Sequence, residues 1–351
     1  MWKMGVRVGL VGVGFVAMIF NGCSTVRSGP PSGDLRVGPN GELLRAGKPY
    51  CAIGVNYFSA FSRTLVDPND TSYRQGFADL AARGIPFARF MACGFWPAEM
   101  RQYLGDKEAY FRLMDGVVRA AEETGVGLIP SLFWYSACVP DLVGEPRNQW
   151  GNLDSKTLAF MRQYTRGMVS RYAKSPAIWA WEFGNEYSLD VDLPNAAEHR
   201  PWIVPELGTP TTRSQADDLR HEMILVAFRE FAKTVRKIDK FRPITTGNSL
   251  PRTCAHHIRT QLAWIPDTRE EFLANLIEVN PDPIHLISVH IYPEDHLKRF
   301  GNDHTPYDEI VSLSDPGVRH SADEVHIRTC RKPPVFSIGF HRRDCRRFMR
   351  C

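Results

Sequence analysis

The stretch AIWAWEFGNEYS, residues 177–188, joins an apolar run to a charged end. Its first half is typical of a strand that is covered on both faces, as strands of parallel sheets are. Asn185 and Glu186 follow directly, and a carboxylate in apolar surroundings is a candidate functional group. The fold and the role of Glu186 therefore depend on which sheet contains this strand and on what its neighbours carry at the same end.

Apolar runs separated by helical segments cover most of the chain. The predicted strands are Cys51–Phe58, Ile85–Phe95, Val126–Trp134, Ala177–Phe183, Pro243–Ser249, His285–Tyr292 and Pro333–Phe340. Helices are predicted between them, near residues 72–82, 109–123, 155–173, 224–235 and 270–279. This α/β alternation indicates parallel strands with helical crossovers, and no G-x-G-x-x-G follows the first strand. The sequence thus predicts a (β/α)₈ barrel that is incomplete, with seven readable strands and the eighth missing.

The bulk composition is that of a globular protein. The chain has 351 residues, of which 43% are hydrophobic and 23% charged, enough for a large core. Its net charge of +4 implies no nucleic-acid partner. Residues 37–339 are predicted to form the barrel domain. Residues 340–351 contain five arginines and form an atypical basic tail, interpreted as out-of-frame sequence rather than as a surface for anionic lipid or nucleic acid.

Residues 1–23 are predicted to be an export signal. Lys3 and Arg7 precede an apolar run that is too short to span a bilayer. The sequence around Cys23 resembles a bacterial lipoprotein cleavage site, so Cys23 is the predicted lipidation site and membrane anchor. Ordinary secretion and a plain anchor remain alternatives. Residues 24–36 are predicted to be a flexible tether, and the protein is expected to be exported, either as a cell-envelope lipoprotein or in secreted form.

The eight cysteines show no metal-binding spacing, because there is no C-x-x-C and no paired histidine near any of them. Cys51 and Cys93 lie in apolar runs. These two and the scattered Cys138, Cys254 and Cys330 are interpreted as small buried hydrophobes in preference to members of a disulfide framework. No metal and no cofactor are predicted.

Polar and aromatic residues stand at the predicted strand ends, where the chemistry of a (β/α)₈ barrel collects. They are Asn56, Arg89, Trp134, Asn185, Glu186, His290 and Tyr292. Aromatic faces beside amide and guanidinium donors suit a sugar, whose C–H faces stack and whose hydroxyls need hydrogen bonds. The predicted partner is therefore a polysaccharide.

Glu186 has a clear task in such a site. Cleavage of a glycosidic bond needs one carboxylic acid for the leaving oxygen and a second carboxylate as nucleophile or base. The apolar, tryptophan-rich setting is expected to raise the pKa of Glu186 toward that of a general acid. From the residues alone, an ion-paired glutamate at a strand end is an equally favoured interpretation.

Several segments resemble clan A glycoside hydrolases of family 5, particularly the endo-β-1,4-mannanases. The matching segments are AWEFGNEY, SVHIYPED, FARF, GVNYF and KPPVF, which together span about residues 41–336. The resemblance implies a retaining hydrolase of β-linked polysaccharide with Glu186 as general acid/base and Asn185 as a substrate ligand. It further implies that Arg89 supports the charge of the nucleophile, while His290 and Tyr292 line the −1 sugar site.

Some positions depart from that pattern. Trp134 stands where many family-5 cellulases carry histidine, which favours β-1,4-mannan; an endo-β-1,4-glucanase remains the alternative. Tyr187 replaces the usual proline. Glu182 is interpreted as the buried partner of a basic residue rather than as a catalytic group.

The nucleophile is not found in the sequence. In the family, strand seven ends with glutamate, an aromatic residue and glycine. Residues 335–351 of this chain read VFSIGFHRRDCRRFMRC. The position of the glutamate is therefore held by Ile338 or Phe340, depending on the alignment. A frameshifted or misjoined end is the hypothesis for this change. Substitution by another carboxylate is not favoured, because a retaining mechanism needs the two carboxyl groups ~5 Å apart; the carboxylates considered are Asp190, Asp192, Glu294 and Asp295. The alternatives are a catalytically inactive glycan-binding lipoprotein and an open barrel that aggregates.

Overall fold

The computed structural model describes residues 35–39, 41–290, 298–306, 309–310 and 313. The strands are β1 (Leu35–Val37), β2 (Leu43–Arg45), β3 (Lys48–Pro49), β4 (Val55–Asn56), β5 (Phe87–Met91), β6 (Gly127–Phe133), β7 (Trp181–Gly184) and β8 (Ile244–Thr245). The α-helices are α1 (Ser62–Val66), α2 (Tyr73–Ala82), α3 (Pro97–Gly105), α4 (Lys107–Thr124), α5 (Cys138–Val143), α6 (Lys156–Tyr172), α7 (His221–Ile238), α8 (Ala255–Gln261) and α9 (Arg269–Glu278). Short 3₁₀ helices lie at Arg147–Gly151, Tyr187–Leu189, Ala196–His199, Pro205–Leu207 and Gln215–Asp217.

Strands β4 to β8 form a parallel sheet in sequential order, and helices connect each strand to the next. The register places Asn56 opposite Arg89, and it places Ser131 and Thr245 on either side of Glu182. Sequential parallel strands with helical crossovers are the arrangement of a (β/α) barrel wall. The predicted α/β alternation is therefore confirmed over these five strands, although each is shorter than its apolar run.

Helix α7 shows why the helices cover the outer face of the sheet. Its apolar residues recur at helical spacing, and Phe228 and Phe231 are fully buried. Their rings contact Phe183 of β7 in edge-to-face geometry, with centroids 5.0 and 5.4 Å apart. Because alternate residues of a strand face opposite sides, Phe183 packs outward while Glu182 and Gly184 face the other way.

Strands β1, β2 and β3 form a small antiparallel sheet. Its Leu35 and Leu43 are buried in one cluster with Phe87 and Ile129, which lie near the beginnings of β5 and β6. The predicted tether of residues 24–36 is therefore wrong at its C-terminal end. Leu35 is fully buried because its side chain covers the amino end of the parallel sheet.

The predicted strand His285–Tyr292 is not a strand over residues 285–290. The N–H groups of His285 and Leu286 both donate to the carbonyl of Ile244, at 3.2 and 3.1 Å. Because both bonds go to the same carbonyl, they do not form the regular series of hydrogen bonds that pairs two strands. Strand β8 ends at Thr245, and Gly247 turns the chain with a φ of 74°. Over residues 285–290 the apolar run therefore contains a single bridge residue, Val289, and no strand.

Several predicted features lie outside the described residues. They are the leader 1–23 with Cys23, the tether up to residue 34, Cys330, strand Pro333–Phe340 with the Ile338 and Phe340 slots, the missing eighth strand and the basic tail 340–351. Within the part that is described, no helix combines the length and apolar character needed to cross a membrane.

The cysteines of the described part are free thiols. Cys93, Cys138 and Cys254 are buried, as small hydrophobes are expected to be, whereas Cys51 is exposed. The apolar run around Cys51 therefore misled the prediction, since only Val55 and Asn56 of that run enter the sheet.

Candidate active site

Glu186 lies immediately beyond β7 in an unusual backbone conformation. Its φ of 57° and ψ of 29° place it in the left-handed region, which residues other than glycine rarely adopt. Its N–H donates to the carbonyl of Gly247 at 2.9 Å, so the loop after β8 holds this turn. Backbone strain of this kind costs about 1–3 kcal/mol and concentrates at functional sites.

The carboxylate of Glu186 is hydrogen-bonded on both oxygens. Oε1 lies 2.8 Å from Nδ1 of His290, and the amide of Asn185 donates to Oε2 at 3.5 Å. The His290 side chain is fully buried, whereas that of Glu186 is 25% exposed. The carboxylate therefore faces an opening while its partner lies behind it.

The pKa of Glu186 is lower than its ordinary value. Burial acts to raise this pKa, but the hydrogen bond and charge of His290, the charge of Arg89 and the amide of Asn185 together outweigh it. The sequence-based expectation of a raised pKa is therefore wrong for this arrangement. The apolar neighbours are present, but the polar contacts across the site decide the direction.

Arg89 of β5 fixes the residues around Glu186. Its side chain is fully buried, and Nε and Nη2 each lie 2.7 Å from Oε1 of Glu182. Nη2 also donates to the carbonyl of Gly184 at 3.2 Å and to Oδ1 of Asn185 at 3.1 Å. The interpretation of Glu182 as the buried partner of a basic residue is confirmed, and Arg89 sets the orientation of the Asn185 amide.

Several buried polar atoms of the described residues have no hydrogen-bond partner there, and those of two neighbouring side chains concern this site. They are Nη1 of Arg89 and both amide atoms of Asn56 on β4. Buried polar groups are nearly always satisfied, so each such atom calls for a water, a ligand or a further protein group. Asn56 pairs with Arg89 in the sheet, so the two residues are neighbours on adjacent strands.

Trp134 follows β6 and forms a wall of the site. Its ring lies 4.2 Å from the guanidinium of Arg89 and packs edge-to-face on Phe58 at 5.0 Å. Direct contacts thus join Trp134, Arg89, Asn185, Glu186 and His290, and Asn56 adjoins them by register. Tyr292 lies outside the described residues.

The other carboxylates considered near strand four are engaged elsewhere. Asp190 pairs with Arg147 at 2.8 Å. Asp192 accepts the N–H of His221, at the beginning of α7, at 3.3 Å. Both have structural partners, which agrees with the sequence-based preference against them. Glu294 and Asp295 lie outside the described residues.

A group with metal-ligand atoms escaped the sequence analysis. Within the described ranges, His257, Asp267 and Glu271 bring such atoms within 4.8 Å of one another. Asp267 already accepts the N–H groups of His256 and His257 at the beginning of α8. Glu271 forms a capping box with Thr268 at the beginning of α9. Helix capping accounts for this cluster.

No protein-family model matches this sequence. The probable mannan endo-1,4-β-mannosidase C of Aspergillus terreus is 25% identical over 242 residues, which cover 60% of this chain and 55% of that protein. The probable mannan endo-1,4-β-mannosidase F of Aspergillus flavus is 40% identical over 80 residues, covering 21% of this chain and 17% of that protein. The chain thus spans about half the length of the first relative and less of the second.

A family 5 glycoside hydrolase mannosidase from Rhizomucor miehei has a similar structure, with a TM-score of 0.51 and 14% identity. The match covers 76% of this chain and 63% of that chain. This chain resembles glycoside hydrolase family 5. A structure from Rhizomucor miehei in complex with mannosyl-fructose matches with a TM-score of 0.50, 12% identity and coverage of 75% and 62%. The family 5 resemblance agrees with the sequence motifs, and the fold is a (β/α)₈ barrel, of which β4 to β8 form the described strands.

Proposed function

We propose that this chain is a glycoside hydrolase domain that acts on the O-glycosidic bonds of a β-linked polysaccharide, with β-1,4-mannan as the first substrate. The observation that carries the proposal is the carboxylate of Glu186, held between His290 and Asn185 beyond β7. The mannanase names of the two relatives support mannan over cellulose.

Glu186 has the proposed role of general acid/base. In the first step a carboxylic acid protonates the leaving oxygen, and in the second the same group takes a proton from water. Because the pKa of Glu186 is lowered, the residue is ready to act as a base but not to retain a proton. A second carboxylate across the sugar raises the pKa of such a group by charge repulsion. The acid step therefore depends on that second carboxylate.

The residues around Glu186 have proposed roles in substrate binding. Arg89 engages Oδ1 of Asn185 and leaves its Nδ2 directed to the Glu186 side, where it can donate to a sugar 2-hydroxyl. Trp134 offers an apolar face for the sugar. The unsatisfied amide of Asn56 supplies a donor and an acceptor for hydroxyl groups. Tyr292 remains a predicted member of the −1 site.

The unsatisfied Nη1 of Arg89 could donate to a carboxylate. Such a contact fits the predicted role of Arg89, which is to support the charge of the nucleophile. In the sequence, however, the strand-seven slot holds Ile338 or Phe340. This observation favours a second candidate function, the binding of glycans without turnover. The two candidates share one site and differ only in catalysis.

An assay of binding and hydrolysis on the same polymers separates the two candidates. The chain, its Glu186→Gln variant and a control with exposed Glu198 changed to Gln are incubated with mannan, glucomannan and cellulose. Release of reducing ends by the chain and the control, with loss in Glu186→Gln, supports hydrolysis. Retention on mannan without reducing ends supports the binding protein. If the polymers are neither retained nor hydrolysed, the result contradicts both candidate functions.

Export with a lipid anchor at Cys23 is a separate proposal, supported by the leader pattern of residues 1–23. It predicts that the chain enters the membrane fraction of a bacterial host and incorporates labelled fatty acid. Cys23→Ser is expected to remove the label and release the protein from the membrane. Equal labelling of both forms would contradict the anchor.

A further inference from the structure

Four aromatic rings form a group at the same end of the sheet as Glu186. Phe95 and Trp96 follow β5, Tyr135 follows β6, and Trp202 lies in the long loop between β7 and α7. We call these four residues the Trp202 platform. Phe95 and Tyr135 are stacked at 4.9 Å with an interplanar angle of 3°, and Tyr135 and Trp202 at 5.7 Å with an angle of 28°. Trp96 adjoins Trp202 with ring centroids 6.1 Å apart.

The backbone of Trp202 is firmly held. Its N–H donates to the hydroxyl of Tyr135 at 3.3 Å, and its carbonyl accepts from Nη2 of Arg213 at 3.1 Å. Arg213 is almost fully buried and forms a two-pronged ion pair with Asp141, at 2.6 and 2.7 Å. It also contacts Asp217 at 3.3 Å. A buried ion-pair cluster thus supports a loop residue whose own side chain points outward.

Trp202 is 55% exposed. A large apolar ring on a mobile loop gains little by stacking on a ligand, because the ligand must first order it. Here the stack on Tyr135 and the backbone hydrogen bonds order the ring in advance, which lowers the entropy lost on binding. Preorganised aromatic faces of this kind bind the apolar face of a flat ligand.

The Trp202 platform is carried by the same loops as the proposed active site. Tyr135 follows Trp134 in the chain, and Trp134 lies against Arg89. The loop that carries Trp202 also contains Glu186 near its start, where the hydroxyl of Tyr187 donates to the carbonyl of Phe133 at 2.9 Å. A polymer bound at Glu186 that extends along the end of β6 therefore meets this second aromatic surface.

We propose that the Trp202 platform is a remote binding subsite, on which one hexopyranose ring of the β-linked polysaccharide stacks while another ring lies at Glu186. The proposal rests on the proposed function, because the polymer comes from it. The subsite contributes affinity for long chains and has no part in proton transfer.

Binding to manno-oligosaccharides in the full chain carrying Glu186→Gln tests the subsite without turnover. Trp202→Ala is compared with Trp264→Ala, a matched control, since Trp264 is also 55% exposed. Calorimetry with β-1,4-mannohexaose is expected to show at least a fivefold rise in Kd for Trp202→Ala and less than a twofold change for Trp264→Ala. With mannobiose both variants are expected to bind as the parent does. Trp202→Phe keeps a ring and is expected to lie between parent and Trp202→Ala.

Equal hexaose affinity in Trp202→Ala and Trp264→Ala would overturn the subsite, as would an equal loss for both sugar lengths. Failure of the parent to bind mannohexaose would overturn it together with mannan as the substrate. If the expected differences in Kd are found but hydrolysis does not depend on Glu186, the subsite stands and only the proposed catalytic role of Glu186 is overturned. If Trp202→Ala melts at a lower temperature than the parent, the Kd of Trp202→Phe for mannohexaose decides whether the subsite stands.

Discussion

Nδ1 of His290 lies 2.8 Å from Oε1 of Glu186, and this contact joins two segments that are 104 residues apart in the chain. His290 is fully buried behind the carboxylate. The protonation of Glu186 is therefore governed by a residue that no local pattern around Glu186 reveals.

The first prediction concerns pH. Because the pKa of Glu186 lies below its ordinary value of 4.5, the ionised carboxylate stabilises the folded state. That stabilisation is present above pH 4.5 and is lost as the pH falls through the lowered pKa. The melting temperature of the chain relative to Glu186→Gln is expected to decrease as the pH is taken below 4.5. Thermal unfolding of both proteins across this range measures it.

Glu99 provides a control of opposite sign. Burial raises its pKa above 4.5, although the N–H groups of Trp96 and Phe95 act against this. Its neutral form favours folding, so the chain is expected to lose stability relative to Glu99→Gln as the pH rises from 4.5 through the raised pKa. The same pH trend for both variants would contradict the assigned contacts.

The second prediction concerns the buried pair of Arg89 and Glu182, whose side chains are 0% and 2% exposed. Glu182→Ala leaves the guanidinium without its main partner and is expected to reduce the free energy of unfolding by about 3–5 kcal/mol. Urea denaturation measures the change. In the exposed pair of Arg74 and Glu123, Glu123→Ala is expected to cost at most ~1 kcal/mol. Equal costs for the two pairs would show that Arg89 is not held as described.

The third prediction concerns Gly247. A Cβ there would lie 1.9 Å from the carbonyl oxygen of Gly184, and the φ is 74°. Gly247→Ala is therefore expected to displace the loop that accepts the N–H of Glu186, with a large fall in melting temperature. Gly84 also has a positive φ but nothing within 4 Å of its Cβ, so Gly84→Ala is expected to cost about 1–2 kcal/mol. A tolerated Gly247→Ala would mean that this close approach is absent.

The fourth prediction concerns thiol reactivity. Burial raises the pKa of Cys93 to about 12 and that of Cys138 well above its ordinary value. At pH 8 the thiolate fraction of Cys93 is on the order of 10⁻⁴, and both side chains are buried. Brief treatment with maleimide, followed by peptide mass spectrometry, is expected to show modification of exposed Cys51 and none of Cys93 or Cys138. Unfolding in urea should expose all three.

The five predicted helices correspond to α2, α4, α6, α7 and α9, because their evidence is local, whereas α1, α3, α5 and α8 were not predicted. Helix α7 repeats its apolar residues at helical spacing, and α4 ends at Gly125, which has a φ of 71°. Strand extent was harder to predict, because pairing depends on neighbours distant in the chain. The run beginning at His285 has the composition of a strand, but the N–H groups of His285 and Leu286 both donate to the one carbonyl of Ile244. Leu35 appeared to belong to a tether because its burial depends on Phe87 and Ile129.

The candidate site could be predicted in its membership but not in its electrostatics. Parallel topology brings strand ends together, so Arg89, Trp134 and Glu186 could be grouped from their positions alone. The left-handed backbone of Glu186 could not be predicted, because the distant Gly247 holds it. The lowered pKa of Glu186 could not be predicted either, because it depends on the distant His290. The Trp202 platform was also missed, since Trp202 lies in a loop without periodic pattern and is held by the distant Arg213.

Chemical rescue tests the central claim, that Glu186 is the acid/base of a glycosidase site. Formate is a small carboxylate that can occupy the place of a missing nucleophile, and β-1,4-mannohexaose, whose sugar leaving group must be protonated as the bond breaks, reports cleavage as released reducing ends. Formate is expected to raise the release rate of the unaltered chain in proportion to its concentration. In Glu186→Gln the rate is expected to fall by ~10²-fold or more, the usual contribution of a general acid/base. A formate-dependent rate that is equal in the chain and in Glu186→Gln, or no release at any formate concentration, would contradict the assignment.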